Sequence, residues 1–178
     1  PQPEEKTFDL LFSGAMSYAP NIDAAEYLIK EIMPLVWEKK PNVKIAIAGG
    51  GAPVSLKKMA NEKIIMPGWV NDMKEYYSQS KIFIAPMQIG TGLQNKLLEA
   101  MAMKMPCITS SLANYALKAK DKEEILIANT AREYADYIIE LLDNKELAQN
   151  IANKGKDYVF NQYSWQTNCE KLSDIFMN

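Results

Sequence analysis

The residue types best suited to chemistry lie in one stretch near the middle of the chain, where two glycines precede a predicted helix. Gly90 and Gly92 carry no Cβ, so the backbone N–H groups around them can approach a ligand closely. The helix, predicted from about residue 93 to residue 103, directs its unpaired N–H groups and the positive end of its dipole toward the same place. The pattern therefore predicts a phosphate site.

Two charged side chains follow these glycines at helical spacing. Lys96 and Glu99 are three residues apart and lie on one face of the predicted helix. The ammonium group can neutralise a diphosphate, and the carboxylate can accept hydrogen bonds from sugar hydroxyls. The same spacing is typical of an ordinary solvated ion pair worth about 0.2–0.5 kcal/mol. Spacing alone leaves both interpretations open, and the preceding glycines favour the first.

The hydrophobic period alternates between that of strands and that of helices along most of the chain. Strands are predicted over residues 7–13, 43–48, 63–66, 81–85, 107–110 and 124–128. Helices are predicted to begin near Asn21 (as N-cap), Val54, Asn71 or Asp72, Leu93, Thr130, Asp143 or Asn144, and Ser164. Pro34 should kink or shorten the first helix. We expect a Rossmann-like α/β fold with a six-stranded, mainly parallel sheet, helices on both faces and a helical C-terminal tail.

Ligands of such sheets bind beyond the carboxyl ends of the strands, so the loops that leave the strands are the places for a site. Gly14 and Asn21 bound the loop after the first strand, which should border the same cleft as the glycine loop. Gly49-Gly50-Gly51 lacks the third glycine of a dinucleotide fingerprint and is interpreted as a tight turn. Trp69 is interpreted as a packed aromatic, with stacking on a nucleotide base as the alternative.

Composition excludes several classes of function. The 178 residues contain no His, which rules out His-ligated zinc, Ser-His-Asp triads and Cys-His dyads within this chain. The net charge of −2 argues against a nucleic-acid partner, and no apolar run approaches the ~20 residues of a transmembrane helix. Cys107 lies in an apolar stretch and should be buried, which fits a reducing cytoplasmic setting. We expect a linker remnant at 1–6, a single domain at 7–178, and no metal site or cofactor.

The sequence resembles the C-terminal, donor-binding domain of GT-B glycosyltransferases of group 1 (GT4 type), over nearly its whole length and in order. The matching segments are Phe12-Ser13-Gly14 with Pro20-Asn21-Ile22-Asp23-Ala24, Ile47-Ala48-Gly49, Pro67-Gly68-Trp69-Val70-Asn71-Asp72, Ile84-Ala85-Pro86, and Gly90-Thr91-Gly92 with Lys96-Leu97-Leu98-Glu99-Ala100-Met101-Ala102. Tyr163-Ser164-Trp165 is similar to the aromatic turn that closes the family's domain.

The resemblance implies a site for a nucleoside diphosphate sugar of UDP or GDP type. Glu99 matches the second glutamate of the family's Glu-x7-Glu motif, which holds the ribose, and Val70 matches a position whose backbone meets the base. The segment Gly90, Thr91, Gly92 and Leu93 matches the part that covers the diphosphate and the sugar. Thr91 stands where the motif has its first glutamate, and the basic pair found in many members after the first strand is absent. Lys96 is therefore the main candidate to neutralise the diphosphate, and Lys96 and Glu99 are the expected catalytic residues.

The activity implied by the resemblance is transfer of a sugar, with retention of anomeric configuration, in glycan, polysaccharide or glycolipid synthesis. Family members have a second Rossmann-like domain, N-terminal to this one, that binds the acceptor. We therefore expect the chain alone to be inactive, and a membrane association of the full-length enzyme stays open. The two alternatives are a catalytically degenerate binding or interaction module and half of a nucleotide-sugar epimerase.

Overall fold

The computed structural model describes residues 6–90 and 92–163, which form an α/β domain around one parallel sheet. Its six strands are β1 (Phe8–Ser13), β2 (Ile45–Ala48), β3 (Ile64–Gly68), β4 (Ser80–Ala85), β5 (Cys107–Thr109) and β6 (Leu126–Ile127). They are hydrogen-bonded in the order β3-β2-β1-β4-β5-β6, and every pair is parallel. The order reverses between β1 and β4, where a doubly wound sheet opens a crevice. The predicted Rossmann-like fold is confirmed.

Helices cover both faces of the sheet. They are α1 (Ala19–Tyr27), a π-helical turn (Leu28–Ile32), α2 (Met33–Lys39), α3 (Val54–Lys57), α4 (Met73–Gln79), α5 (Asn95–Ala102), α6 (Ser111–Leu117), α7 (Ala131–Asp143) and α8 (Lys145–Tyr163). The π-helical turn and α2 pack against α7 on one face, and α5 packs against α8 on the other. Between these layers the strands bury nearly every apolar side chain. The helical C-terminal tail is confirmed through α8.

The first helix begins earlier than predicted. Asn21 was expected as its N-cap, but the N-cap is Tyr18, and Pro20 occupies the first turn, where its missing N–H costs nothing. Asn21 lies inside the helix with only 6% of its surface exposed. The expected disturbance by Pro34 takes the form of the π-helical turn just before it, in which the Met33 N–H bonds the Leu28 carbonyl.

Other predicted boundaries were also wrong, and one helix was missed. The third strand continues through Pro67, which an edge strand tolerates because no further strand needs its N–H. Helix α5 begins two residues late, since Gln94 has an extended backbone. Helix α6 was missed, although Ser110 caps it by accepting a hydrogen bond from the Ala113 N–H.

Several predicted caps are confirmed. Asp72 accepts a bond from the Lys74 N–H at the start of α4. Thr130 and Glu133 form the reciprocal capping box of α7. Asn144 caps α8 through the Leu147 N–H, at 3.0 Å.

Cys107 is fully buried in β5, as predicted. The helix predicted after Ser164 and the linker assigned to residues 1–6 lie essentially outside the described residues. Among the helices of the described part, none is both long and apolar enough to cross a membrane.

Candidate functional site

A cleft of about 690 Å³ opens at the carboxyl edge of the sheet. The loops that follow β1, β2 and β3 form one wall, and helices α4 and α5 contribute the other. Its lining residues are Ser13, Gly14, Ala15, Ser17, Ala48, Gly49, Gly50, Gly51, Trp69, Val70, Met73, Lys96 and Glu99. The cleft borders the point where strand order reverses, which is where ligands bind in sheets of this kind.

Two loops come into close contact at the glycine-rich wall. The Gly14 N–H donates to the Ala48 carbonyl at 3.0 Å. Gly49 has φ +144°, and a Cβ built on it would lie 1.7 Å from the Gly14 carbonyl oxygen. A Cβ on Gly14 would lie 2.6 Å from the Asn21 amide nitrogen. These positions accept only glycine, so backbone rather than side chains forms this part of the cleft.

Lys96 reaches into the cleft from the first turn of α5. Its ammonium donates to the Asn21 side-chain oxygen, lies 3.9 Å from the Met87 sulfur and sits 4.9 Å from the centre of the Phe12 ring. The Asn21 amide group in turn donates to the Ala15 carbonyl at 3.0 Å. A chain of contacts thus fixes the ammonium beside the loop that follows β1.

Burial lowers the pKa of Lys96 from 10.5 to about 8. The cause is desolvation, which disfavours the charged form. The ammonium is therefore still mostly protonated at neutral pH, in surroundings where an anion would gain more from it than it would in open solvent.

Glu99 lies one helical turn beyond Lys96, on the same wall. Its Oε2 accepts a hydrogen bond from the Tyr77 hydroxyl at 2.9 Å. Among the ion pairs of the described part of the chain, none joins Lys96 to Glu99. Each charge is hydrogen-bonded to a neutral side chain instead. The interpretation of Lys96 and Glu99 as an ordinary solvated ion pair, which their spacing allowed, is therefore wrong.

The structure separates the predicted site residues into two groups. Gly14, Val70, Lys96 and Glu99 line the cleft, and Asn21 contacts it through Lys96. Gly90, Gly92 and Leu93 are not among the lining residues: a Cβ on Gly90 would meet Pro20 at 3.6 Å, and one on Gly92 would meet nothing within 4 Å. Thr91 lies outside the described residues. Donor contact by this segment stays a prediction.

Sequence reasoning missed two neutral residues of the site and preferred the wrong interpretation of a third. Trp69 was interpreted as packed, but 74% of its surface is exposed, and it lies over Gly50 at the cleft. That interpretation was wrong because strand β3 continues through Gly68, which carries Trp69 past the sheet. Tyr77 and Ser13 had no signal, since each reads as an ordinary member of a helix or strand.

Metal ligands do not gather in this part of the molecule. Across residues 6–90 and 92–163, no three His, Cys, Asp or Glu side chains come together as they would around a metal ion.

Comparison with known proteins gives the family. The model of group 1 glycosyl transferases matches residues 7–144. A protein of 44.6 kDa from the cps region of Klebsiella pneumoniae is 26% identical over 166 residues, covering 88% of this chain and 41% of the relative. The poly(ribitol-phosphate) α-N-acetylglucosaminyltransferase of Staphylococcus aureus (strain COL) is 26% identical over 160 residues, covering 84% of this chain and 32% of the relative.

Solved structures share the fold. TarM of S. aureus superposes with a TM-score of 0.83 at 22% identity, over 100% of this chain and 36% of that one. Anabaena HepE in complex with UDP and glucose superposes with a TM-score of 0.77 at 10% identity, over 96% of this chain and 48% of HepE. The C-terminal domain of the Francisella tularensis group 1 protein LpcC superposes with a TM-score of 0.70 at 20% identity, over 91% of this chain and 89% of that domain.

The chain belongs to the group 1 glycosyltransferase family and has the fold of the C-terminal domain of a GT-B enzyme. It spans less than half the length of the curated relatives that it matches.

Proposed function

We propose that the cleft binds a nucleoside diphosphate sugar and that the chain is the donor-binding domain of a retaining glycosyltransferase. The observation that carries this proposal is the placement of the Lys96 ammonium. It is withdrawn from solvent, held by Asn21 and kept apart from Glu99, beside a wall made of glycine backbone. Such a site suits an anionic group that backbone and one cation bind together.

The lining of the cleft suggests an orientation for the donor. The diphosphate lies between Lys96 and the glycine-rich loops, the ribose lies within reach of the Glu99 carboxylate, and the base lies beside Val70 and the exposed Trp69 ring. HepE, which shares the fold, is described in complex with UDP and glucose, which makes UDP the first nucleotide to test.

The reaction that follows is cleavage of the bond between the anomeric carbon of the sugar and the diphosphate, and transfer of the sugar to an acceptor hydroxyl. Negative charge grows on the leaving diphosphate, and Lys96 stabilises it electrostatically. In this proposal, a second, N-terminal domain binds the acceptor. Two relatives are named for transfer to polymers: one is a poly(ribitol-phosphate) α-N-acetylglucosaminyltransferase, and the other is a capsular polysaccharide biosynthesis glycosyltransferase. We infer a polysaccharide or related glycan as the product.

Titration calorimetry with UDP, GDP and ADP tests the binding step. Lys96→Met removes the charge and keeps the length of the side chain, and Glu99→Gln removes the charge and keeps the shape. Lys145→Met and Glu146→Gln, both on the exposed start of α8, are matched controls. We expect UDP to bind to the wild type and the controls, with roughly tenfold weaker binding to each cleft variant. Equal affinity of all five proteins would remove the basis of the proposal.

A nucleotide-binding module without catalysis is the second candidate. The observation in its favour is Thr91, at the position where the family's motif has a glutamate. Restoring the carboxylate with Thr91→Glu in the full-length protein distinguishes the two. A wild type that binds a UDP-sugar without consuming it, and a variant that consumes it, would identify a degenerate site.

A further inference from the structure

Tyr77 is a buried polar residue at the cleft for which neither the motifs nor the proposed donor contacts provide a role. It lies on α4, has 3% of its surface exposed and packs its ring against Phe83, with 5.9 Å between the ring centres. Its hydroxyl donates to the Glu99 Oε2 at 2.9 Å, and the Ser13 hydroxyl lies 3.4 Å away. Both of these partners line the cleft.

We propose that Tyr77 is a positioning residue, which holds the Glu99 carboxylate in the orientation that accepts hydrogen bonds from the hydroxyl groups of a ligand's ribose. This inference rests on the proposed function and deepens it, because it names a group that gives the site its preference for a ribonucleotide. Tyr77 itself contacts no ligand in this account, and its effect passes through Glu99.

The geometry explains why the carboxylate needs a partner. Glu99 lies on the exposed side of α5, and an unpaired glutamate there would sample several rotamers. Fixing it in one rotamer when a ligand binds would cost conformational entropy. The bond from Tyr77 uses one of the two carboxylate oxygens. The other can then accept from a ligand hydroxyl without first being ordered.

The surroundings of Tyr77 keep it a donor. Burial, together with the neighbouring Glu99 charge, raises the pKa of its hydroxyl well above the usual value of 10. The phenol therefore keeps its proton at neutral pH. Glu99 on α5 is the charged group that its hydroxyl bonds, and Ser13 on β1 and Phe83 on β4 are neutral. Burial raises the pKa of the nearby Cys107 thiol on β5, so that group also stays uncharged.

A comparison of two nucleotides isolates this role. UDP carries both ribose hydroxyls, and 2′,3′-dideoxy-UDP carries neither, while base and diphosphate are identical. Titration calorimetry of both ligands is made with the wild type, Tyr77→Phe and Tyr76→Phe. Tyr76 is the matched control, because it is the adjacent tyrosine of the same helix and stacks on Phe8.

We expect the wild type and Tyr76→Phe to bind UDP roughly tenfold more tightly than the dideoxy nucleotide, as a hydrogen bond to a charged acceptor allows. Tyr77→Phe should bind both nucleotides with affinities within about threefold of each other. It should also retain the wild-type affinity for the dideoxy nucleotide, since only the ribose contact is changed.

Each other result overturns a stated claim. If Tyr77→Phe weakens both nucleotides equally, Tyr77 supports the fold only, and the positioning role is wrong. If UDP binds tightly and Tyr77→Phe keeps the full preference, that role is again wrong while the proposed function stands. If the wild type binds neither nucleotide, the proposed function fails as well.

Glu99→Asp provides a second route that leaves the Tyr77 packing intact. The shorter side chain keeps the charge but moves the carboxylate away from the Tyr77 hydroxyl. We expect the preference for UDP to fall to the level of Tyr77→Phe, and a retained preference would contradict the inference. Thermal unfolding of every variant confirms that the compared proteins are folded.

Discussion

Lys96 has an environment that makes its charge both useful and sensitive to pH. Its ammonium lies over the Phe12 ring, whose face attracts a cation, and near the Met87 sulfur. These contacts and the Asn21 oxygen replace only part of the lost water. A negatively charged ligand stabilises the ammonium and so offsets the hydration that is lost on burial. Binding of a diphosphate and protonation of Lys96 should therefore be coupled.

The first prediction concerns pH. Because the pKa of free Lys96 is lowered to about 8, the unliganded protein loses the ammonium as pH rises through that value, while a bound diphosphate keeps it protonated. UDP affinity should hold near pH 7 and fall above pH 8, by roughly tenfold one unit beyond the pKa. Calorimetry between about pH 7 and pH 9.5 measures this. Lys96→Met should bind UDP weakly at every pH, with no fall in affinity as pH rises. A wild-type affinity that is equally independent of pH would refute the coupling.

Trp69 supports a second prediction at the scale of one residue. Its ring is 74% exposed beside the cleft, so truncation should cost little stability. Stacking of a base on an aromatic ring is worth about 1–3 kcal/mol by alanine substitution, so Trp69→Ala should weaken UDP roughly tenfold or more. Tyr115→Ala, at an 83% exposed tyrosine on α6, is the control. Unchanged affinity in calorimetry would remove Trp69 from the base site.

At the scale of elements, the cleft depends on the contact between the loops that follow β1 and β2. Gly49 donates to the Gly68 carbonyl at 2.9 Å, and any side chain on it would enter the Gly14 carbonyl. One residue therefore links three neighbouring strand ends. This is why backbone can form the wall of the cleft.

The third prediction tests this contact. Gly49→Ala should cost about 3 kcal/mol or more, or prevent folding, because both φ and the Gly14 carbonyl oppose it. Gly68→Ala is the control: its φ is +78°, but a Cβ there meets nothing within 4 Å, so only about 1–2 kcal/mol is expected. Urea denaturation compares the two. Equal losses would mean that strain alone, and not the loop contact, requires glycine.

Elements were predictable where local chemistry decides them. The buried apolar runs located every strand of the described part, and the caps at Asp72, Thr130 and Asn144 could be read from side chains that bond their own helix. The failures arose from tertiary context. A proline usually ends a strand, but Pro67 is tolerated because β3 lies at the edge of the sheet. The position of a strand at the edge cannot be read from the sequence.

The two charged residues of the site could be predicted from the sequence, but their hydrogen-bond partners could not. Lys96 and Glu99 share a helical spacing, so periodicity reveals them. Asn21 was expected at the same cleft, but its contact with Lys96 was not. Tyr77 was missed altogether, because only the packing of α4 beside α5 brings its hydroxyl to Glu99. A tyrosine that meets its partner only through tertiary packing shows no pattern in a single sequence.

At the scale of the whole molecule, the fourth prediction follows from what the chain spans. The chain covers 41% and 32% of two relatives, and we propose that the acceptor is bound outside these residues. We expect this chain alone to bind UDP but to release no sugar from UDP-glucose or UDP-N-acetylglucosamine beyond background, because no acceptor is positioned. Assays of donor consumption test this, and rapid turnover by these 178 residues would contradict it.

Mapping the UDP contact residue by residue tests the central claim most directly. In two-dimensional NMR spectra of the labelled chain, UDP should shift the backbone amides of Gly14, Gly50, Val70 and Glu99, which all belong to the cleft. Saturation of these shifts should follow the calorimetric affinity. Shifts centred instead on the smaller hollow of about 240 Å³ beside Tyr158, or no shifts at millimolar UDP, would contradict the account.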